Sequence, residues 1–203
     1  MSRSYFDTPL AVKNLLIINC LAFLATYCIP SLNSFFAYYG VLHGFDSFYY
    51  HSYQFITYMF LHGSVEHLFF NMFALWMFGR QLEYVLGTKR FLTYYFVCGI
   101  GAALLQLCIA HVEQSSINLL GASGAVMGLL LAYGVLWPNS IIMLMIPPIP
   151  LKAKWFVAIY ALIELFLGAT GTQPGVAHFA HIGGMLWGLA LLYYWRWRGT
   201  IRF

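Results

Sequence analysis

Charge is what this sequence has least of. Its 203 residues include 10 Lys and Arg and 6 Asp and Glu, only 8% charged in all. A soluble domain of this length carries about 25%, so a chain folded in water is excluded. Cysteine is equally sparse: Cys20, Cys28, Cys98 and Cys108 stand at no metal-ligand spacing and read as small apolar residues, not as a disulfide framework. No zinc-protease signature is present either. "HGSVEH" at 62–67 has one residue too many for H-x-x-E-H, so its imidazoles do not share a helix face in the required way.

What is abundant is apolar surface, at 62% hydrophobic and 19% aromatic residues. A helix crossing the hydrocarbon core needs roughly 20 mainly apolar residues, and six such spans are expected at about 10–29, 67–86, 91–111, 119–137, 152–169 and 176–195. Only short tails and loops remain, so residues 1–203 read as a single polytopic membrane domain. Ala25-Thr26-Tyr27 before Cys28 puts tyrosine where a signal or lipoprotein cleavage site takes a small residue, so the first span is expected to be retained.

The basic residues segregate completely across these spans. Arg3 and Lys13 lie before or at the start of the first, and Arg80, Lys89 and Arg90 flank the second gap. Lys152 and Lys154 flank the fourth gap, and Arg196, Arg198 and Arg202 close the chain. The first, third and fifth gaps have none, which puts both termini in the cytoplasm. The net charge of +4 is accounted for by these flanks and gives no reason to invoke nucleic acid.

With that orientation the second, fourth and sixth spans all start at the outer face. Their opening residues, His67 to Asn71, Gly121 to Gly124 and Val176 to Gly184, converge at one depth. Taken singly, the glycines around Ser123 and His181 read as helix-packing faces. Ionisable groups at membrane depth, however, are costly and point to function with a partner. Close packing is also what brings a short serine within reach of an imidazole. Serine becomes a nucleophile when a base takes its proton, and neutral histidine suits that task near neutral pH. An oxyanion forming at Ser123 would meet the free N–H groups of a helix N-terminus. Asn71, with His67 on the same helix face at i, i+4, would add further donors. No carboxylate shows a clear path to His181, so the residues read as a Ser–His dyad and not a triad. Glu164 in the fifth span reads as a structural hydrogen-bonding group, with a catalytic role as the alternative, since its depth does not clearly match Ser123.

Four motifs follow one another along the chain: "HLFFN" at 67–71 (H-x-x-x-N), "GRQLEYVLG" at 79–87 (G-x-x-x-E-x-x-x-G), "GASG" at 121–124 (G-x-S-G) and "AHIGGMLWG" at 180–188 (A-H-x-x-G-x-x-x-G). In this order they resemble those of the rhomboid intramembrane serine proteases. The likeness covers nearly the whole chain. It implies an all-α bundle of six transmembrane helices around a water-filled cavity open to the outer side. Ser123 would be nucleophile and His181 general base, with His67, Asn71 and the Ser123 N–H as the oxyanion site. No metal or other cofactor is implied. Partners would be the lipid bilayer and single-span membrane protein substrates, cut near the outer face. The expected location is a bacterial inner (plasma) membrane.

Two positions depart from the family pattern. The long first loop often carries Trp-Arg where "YQFITYMFLH" has Tyr53-Gln54, and some members place tyrosine where this chain has Met127. Neither touches the nucleophile or the base. The first loop, about 30–66, is rich in Tyr and Phe and is expected in part at the interface. "IIMLMIPPIP" at 141–150 reads as an inner-face loop, and the glycine-rich "GATGTQPG" at 168–175 as a cap over the cavity that moves with the fifth span. Two other classes remain to be separated by experiment: an intramembrane metalloprotease, and a transporter or non-cutting binder of membrane helices.

Overall fold

The computed structural model describes residues 8–143, 148–172 and 175–202. Arg3, the stretch 144–147 of "IIMLMIPPIP" and Gln173-Pro174 of the glycine-rich gap lie outside the described residues.

Helices dominate. α1 (Leu10–Cys28) follows Pro9, and α2 (Pro30–Tyr39) starts on a proline, whose missing N–H costs nothing at a first helical position. The short strand β1 (Leu42–His43) and α3 (Gln54–Thr57) follow, and one 3-10 turn, Tyr58–Phe60, completes the first loop. α4 (Val65–Ala74) is capped by Ser64, whose Oγ accepts from the His67 N–H at 3.1 Å. A π-helical turn, Leu75–Gly79, joins it to α5 (Arg80–Leu86). Next come α6 (Thr88–Val112), strand β2 (Asn118–Leu119) and α7 (Ser123–Leu136). Strands β3 (Ile141–Met143) and β4 (Pro150–Lys152) pair antiparallel, so the expected inner loop is a small hairpin where it is described. α8 (Ala153–Thr170) and α9 (His178–Trp197) close the fold.

α1, α6 and α8 are each long and apolar enough to cross a membrane. α7, at 14 residues, is shorter than the expected 119–137. Asn118 and Leu119 pair instead with His43 and Leu42, and Gly121 sits at φ +115°, where the right-handed helix cannot continue. The expected single helix 67–86 is continuous as Val65–Leu86 but changes pitch at the π turn. The first loop also holds more structure than expected. Gln54, fully buried, is its hub: Oε1 accepts from the backbone of His51 at 3.1 Å and of His43 at 3.4 Å, while Nε2 donates to the carbonyls of Tyr49 and Tyr39 at 2.8 and 3.3 Å. An amide thus anchors this loop without a guanidinium.

α6, α7 and α9 pack on one another at the centre. Lipid is as apolar as a leucine, so such packing depends on close contact and on satisfied polar groups. Two buried tyrosines of neighbouring elements supply the second. The Tyr94 hydroxyl donates to the Gly128 carbonyl at 2.9 Å and the Tyr58 hydroxyl to that of Gly99 at 2.7 Å. Large apolar side chains such as Ile17 and Leu21 on α1, and Leu162 and Phe166 on α8, face outward as a lipid-contacting belt would.

Glu83 explains the second motif, "GRQLEYVLG". Its carboxylate accepts from the Ala11 N–H at 3.0 Å, the Val12 N–H at 2.8 Å and the Thr88 hydroxyl at 2.7 Å, so a buried side chain of α5 caps the start of α1. Removing it strands two buried N–H groups. Glu83→Ala should destabilise the protein by about 2 to 6 kcal/mol, one unsatisfied-donor cost of about 1 to 3 kcal/mol per amide. A thermal melt in detergent checks this, and an unchanged midpoint would remove Glu83 from the capping role.

Candidate active site

Ser123 is the first residue of α7 and His181 lies in the first turn of α9. His181 Nε2 stands 2.9 Å from Ser123 Oγ. Both side chains line a cavity of about 600 Å³ together with His67, Asn71, Met127 and Tyr160. The starts of α4, α7 and α9 therefore meet around one space. All four residues singled out in the sequence are brought to it.

Backbone proximity makes this possible. A Cβ on Gly184 of α9 would collide with the carbonyl of Gly124 on α7, so the two helices touch main chain to main chain beside Ser123 and His181. A Cβ on Gly121 would lie 2.7 Å from the His67 ring, which places that imidazole directly over the turn leading into Ser123. The turn is held by the Gly121 N–H donating to the Tyr58 carbonyl at 2.9 Å. Asn71 is buried, and its Nδ2 donates one bond to the His67 carbonyl at 2.8 Å. An amide NH2 carries a second donor hydrogen, and that one is not used by this bond. On α9 the Ala180 N–H is shared between Gln106 Oε1 of α6 and the Ala177 carbonyl, each at 3.0 Å.

One reading of the sequence is overturned. Glu164 does have a path to His181: its Oε2 lies 2.9 Å from His181 Nδ1, and 2.7 Å from His178 Nδ1. All three residues are buried. Serine hydroxyl, imidazole and carboxylate thus form one line, not a pair. Nothing in the sequence fixed the rotation of α8 or the depth of its residue 164. The nearest signal was "HFAH" at 178–181, whose i, i+3 histidines share a face and so present two nitrogens to one acceptor.

The same trio is also the one group among the described residues whose donor atoms, all within 4.8 Å of one another, suggest a metal. Distances argue for hydrogen bonds. Two donors held at about 2.0–2.2 Å on a tetrahedral ion stand roughly 3.3 Å apart, whereas both nitrogen–oxygen separations here are shorter.

Comparison with known proteins places the chain in a family. The rhomboid domain model matches residues 50–198, and the chain belongs to the rhomboid family. It is 32% identical over 138 residues to the mitochondrial Rhomboid protein 1 of Saccharomyces cerevisiae, covering 67% of this chain and 39% of that protein. It is 37% identical over 138 residues to the mitochondrial RHOMBOID-like protein 6 of Arabidopsis thaliana, covering 67% and 41%. With the Rhomboid protease AarA of Providencia stuartii it shares 32% over 143 residues, covering 64% and 51%. The chain spans about two fifths to one half of the length of these relatives.

The glycine contact generates a test. Gly184→Ala puts a methyl group against the Gly124 carbonyl, so α9 must shift away from α7 and lengthen the Ser123–His181 contact. Labelling of the serine by a fluorophosphonate should slow at least about tenfold, the scale of a misplaced catalytic group, and the melting temperature should fall. Wild-type labelling in this variant would show that the helix contact does not set the pair.

Proposed function

We propose that the chain is an intramembrane serine endopeptidase that cuts transmembrane segments of other membrane proteins near the outer face of the bilayer. The observation that carries this reading is the 2.9 Å contact between Ser123 Oγ and His181 Nε2 inside a cavity of a rhomboid-family chain. A relative bearing the name of a protease supports it. Residues 1–203 are taken as one membrane domain with six spans and both termini cytoplasmic. We place it in a bacterial inner membrane. The family alone does not choose the membrane, since two of the relatives above are mitochondrial.

His181 takes the proton of Ser123 as the hydroxyl attacks a substrate carbonyl, and later returns it to the leaving amine. The oxyanion that forms meets the Ser123 N–H at the N-terminus of α7, the second Asn71 amide hydrogen and the His67 ring. No cofactor enters this chemistry. α7 explains how water reaches it. Fourteen residues make a helix of about 21 Å, against a hydrocarbon core of about 30 Å. A helix that short leaves its first residue sunk below one face, with the cavity occupying the missing turns. A substrate helix hides its carbonyls in backbone bonds and must unwind first, which is cheapest at Gly or Pro. Cuts should therefore lie in the outer part of the substrate span, at small residues.

Co-expression with a panel of single-span substrates tests the proposal. Ser123→Ala and His181→Ala should each abolish cleavage and fluorophosphonate labelling while remaining folded in detergent. Asn71→Ala should slow cleavage roughly 10- to 1000-fold, the scale of a lost oxyanion donor. Cleavage surviving in either of the first two variants would overturn the mechanism. Inertness of the wild type across the panel and to the fluorophosphonate would favour a non-cutting binder. Mass spectrometry of the products locates the cut, and sites clustered in the inner half of the substrate span would refute the stated depth.

A further inference from the structure

The nucleophile, base and oxyanion donors leave one buried group of the site without a task. Among the described residues Glu83 and Glu164 are the two buried carboxylates, and Glu83 is fully occupied in capping α1. Glu164 is occupied by two histidines of the neighbouring helix. We propose that Glu164 is a positioning residue for the base: its carboxylate fixes the proton of His181 on Nδ1, and His178 holds that carboxylate in place. This inference rests on the protease reading above.

The proton assignment follows from the atoms. An ionised carboxylate oxygen only accepts hydrogen bonds. Oε2 lies 2.9 Å from His181 Nδ1, so that nitrogen carries hydrogen and donates. His181 Nε2 is then left with its lone pair, 2.9 Å from Ser123 Oγ, and the hydroxyl hydrogen has an acceptor to go to. With the proton on Nε2 instead, the ring would offer the serine a donor and set a lone pair against a buried carboxylate. A base in that state cannot take a proton from Ser123. When His181 becomes imidazolium during the reaction, the carboxylate is adjacent to the new charge and needs no reorganisation to stabilise it.

His178 makes sense only in relation to Glu164. Its Nδ1 is 2.7 Å from the same Oε2, and its Nε2 is buried with no partner among the described residues. The ring does not line the cavity that holds Ser123. Its polar engagement is therefore this single bond, which ties the carboxylate down. Both histidines sit in the first turn of α9, where the positive end of the helix dipole further favours an anion.

Two other roles compete, a helix-to-helix staple and a metal ligand, and one set of measurements separates all three. The full chain in detergent would be compared as wild type, Glu164→Gln and His178→Gln, using melting temperature, kcat and KM on a cleaved substrate, and 15N NMR of ring-labelled histidine, with the His181 signals identified by their loss in His181→Gln. Wild type should show the Nδ1–H form of His181. Glu164→Gln keeps the size of the side chain but can turn an amide N–H toward Nδ1. It should melt close to wild type, shift His181 toward Nε2–H and lose on the order of 10²- to 10⁴-fold in kcat, as when an orienting carboxylate becomes an amide. KM should stay within about twofold, because the lost interaction matters in the transition state only. His178→Gln should retain the Nδ1–H form with a smaller loss of kcat.

A lowered melting temperature with unchanged kcat per fluorophosphonate-titrated site would make Glu164 a staple and overturn the proposal. Activity lost to a chelator and restored by zinc would overturn it in favour of a metal. An Nε2–H form of His181 in wild type would overturn it even if Glu164→Gln failed to fold. Should wild type prove as inert as Ser123→Ala, the protease reading fails, and the nitrogen spectra still decide the role of Glu164.

Discussion

The site depends on one contact that involves no reactive atom: the passage of Gly184 on α9 against the Gly124 carbonyl on α7. Serine has a side chain of a single carbon and an oxygen, so its hydroxyl reaches an imidazole on another helix only if the two backbones nearly touch. Gly124 directly follows Ser123, and Gly184 lies three residues beyond His181 on the same face. The approach and the chemistry are therefore parts of one geometry. α6 backs it from behind. A Cβ on Gly124 would collide with Ala102, and one on Gly188 with the Tyr94 hydroxyl. In a bilayer, where burial of apolar surface gives helices no net attraction, such close fit is the force that holds them.

Around this contact, the segments outside the helices act as fasteners. β1 and β2 pair Leu42 with Leu119, four residues before Ser123, and so fix the path into α7. Tyr58 does two things from one position: its carbonyl accepts from Gly121 and its hydroxyl donates to Gly99 on α6. Gln54, within the same short helical stretch, gathers four backbone groups of the first loop. Gln54 thus ties the loop together through neutral hydrogen bonds alone.

How much of this was legible in the sequence divides along physical lines. Helix positions were readable to within a few residues, because apolar runs of membrane length have few alternatives. The meeting of Ser123, His181, His67 and Asn71 was readable too, since alternate spans start at one face and carry their polar residues there. The start of α7 was misjudged, because a two-residue strand pairing with Leu42–His43 leaves no periodic signal and Leu119 is as apolar as a helix would want. The reach of Glu164 to His181 was missed for a different reason. Its depth relative to Ser123 depends on the tilt of α8 and on a helix running the other way, where counting residues from the opposite end accumulates error. The first loop hid its order because a hub such as Gln54 is defined by its partners and not by its neighbours in sequence.

The placement of Glu164 also ties the base to the position of a whole helix. α8 is the sparsely buried member of the bundle: Ala153, Val157 and Glu164 are its buried residues, and most of its surface faces outward. Ala153 and Val157 pack near its start, beside Gly134 of α7, so they fix that end only. At the far end Gly168 rests on His178 and Phe179 of α9. Between them, the carboxylate bonded to His178 and His181 is the polar link. A hydrogen bond weakens steeply once its atoms separate beyond about 3.5 Å, so a lateral shift of α8 of only an ångström or so is enough to release the His181 Nδ1 proton from its acceptor. On the proposed mechanism, the protonation state that would let His181 receive the Ser123 proton is therefore a property of α8 seated against α9, although α8 would contribute no atom that reacts.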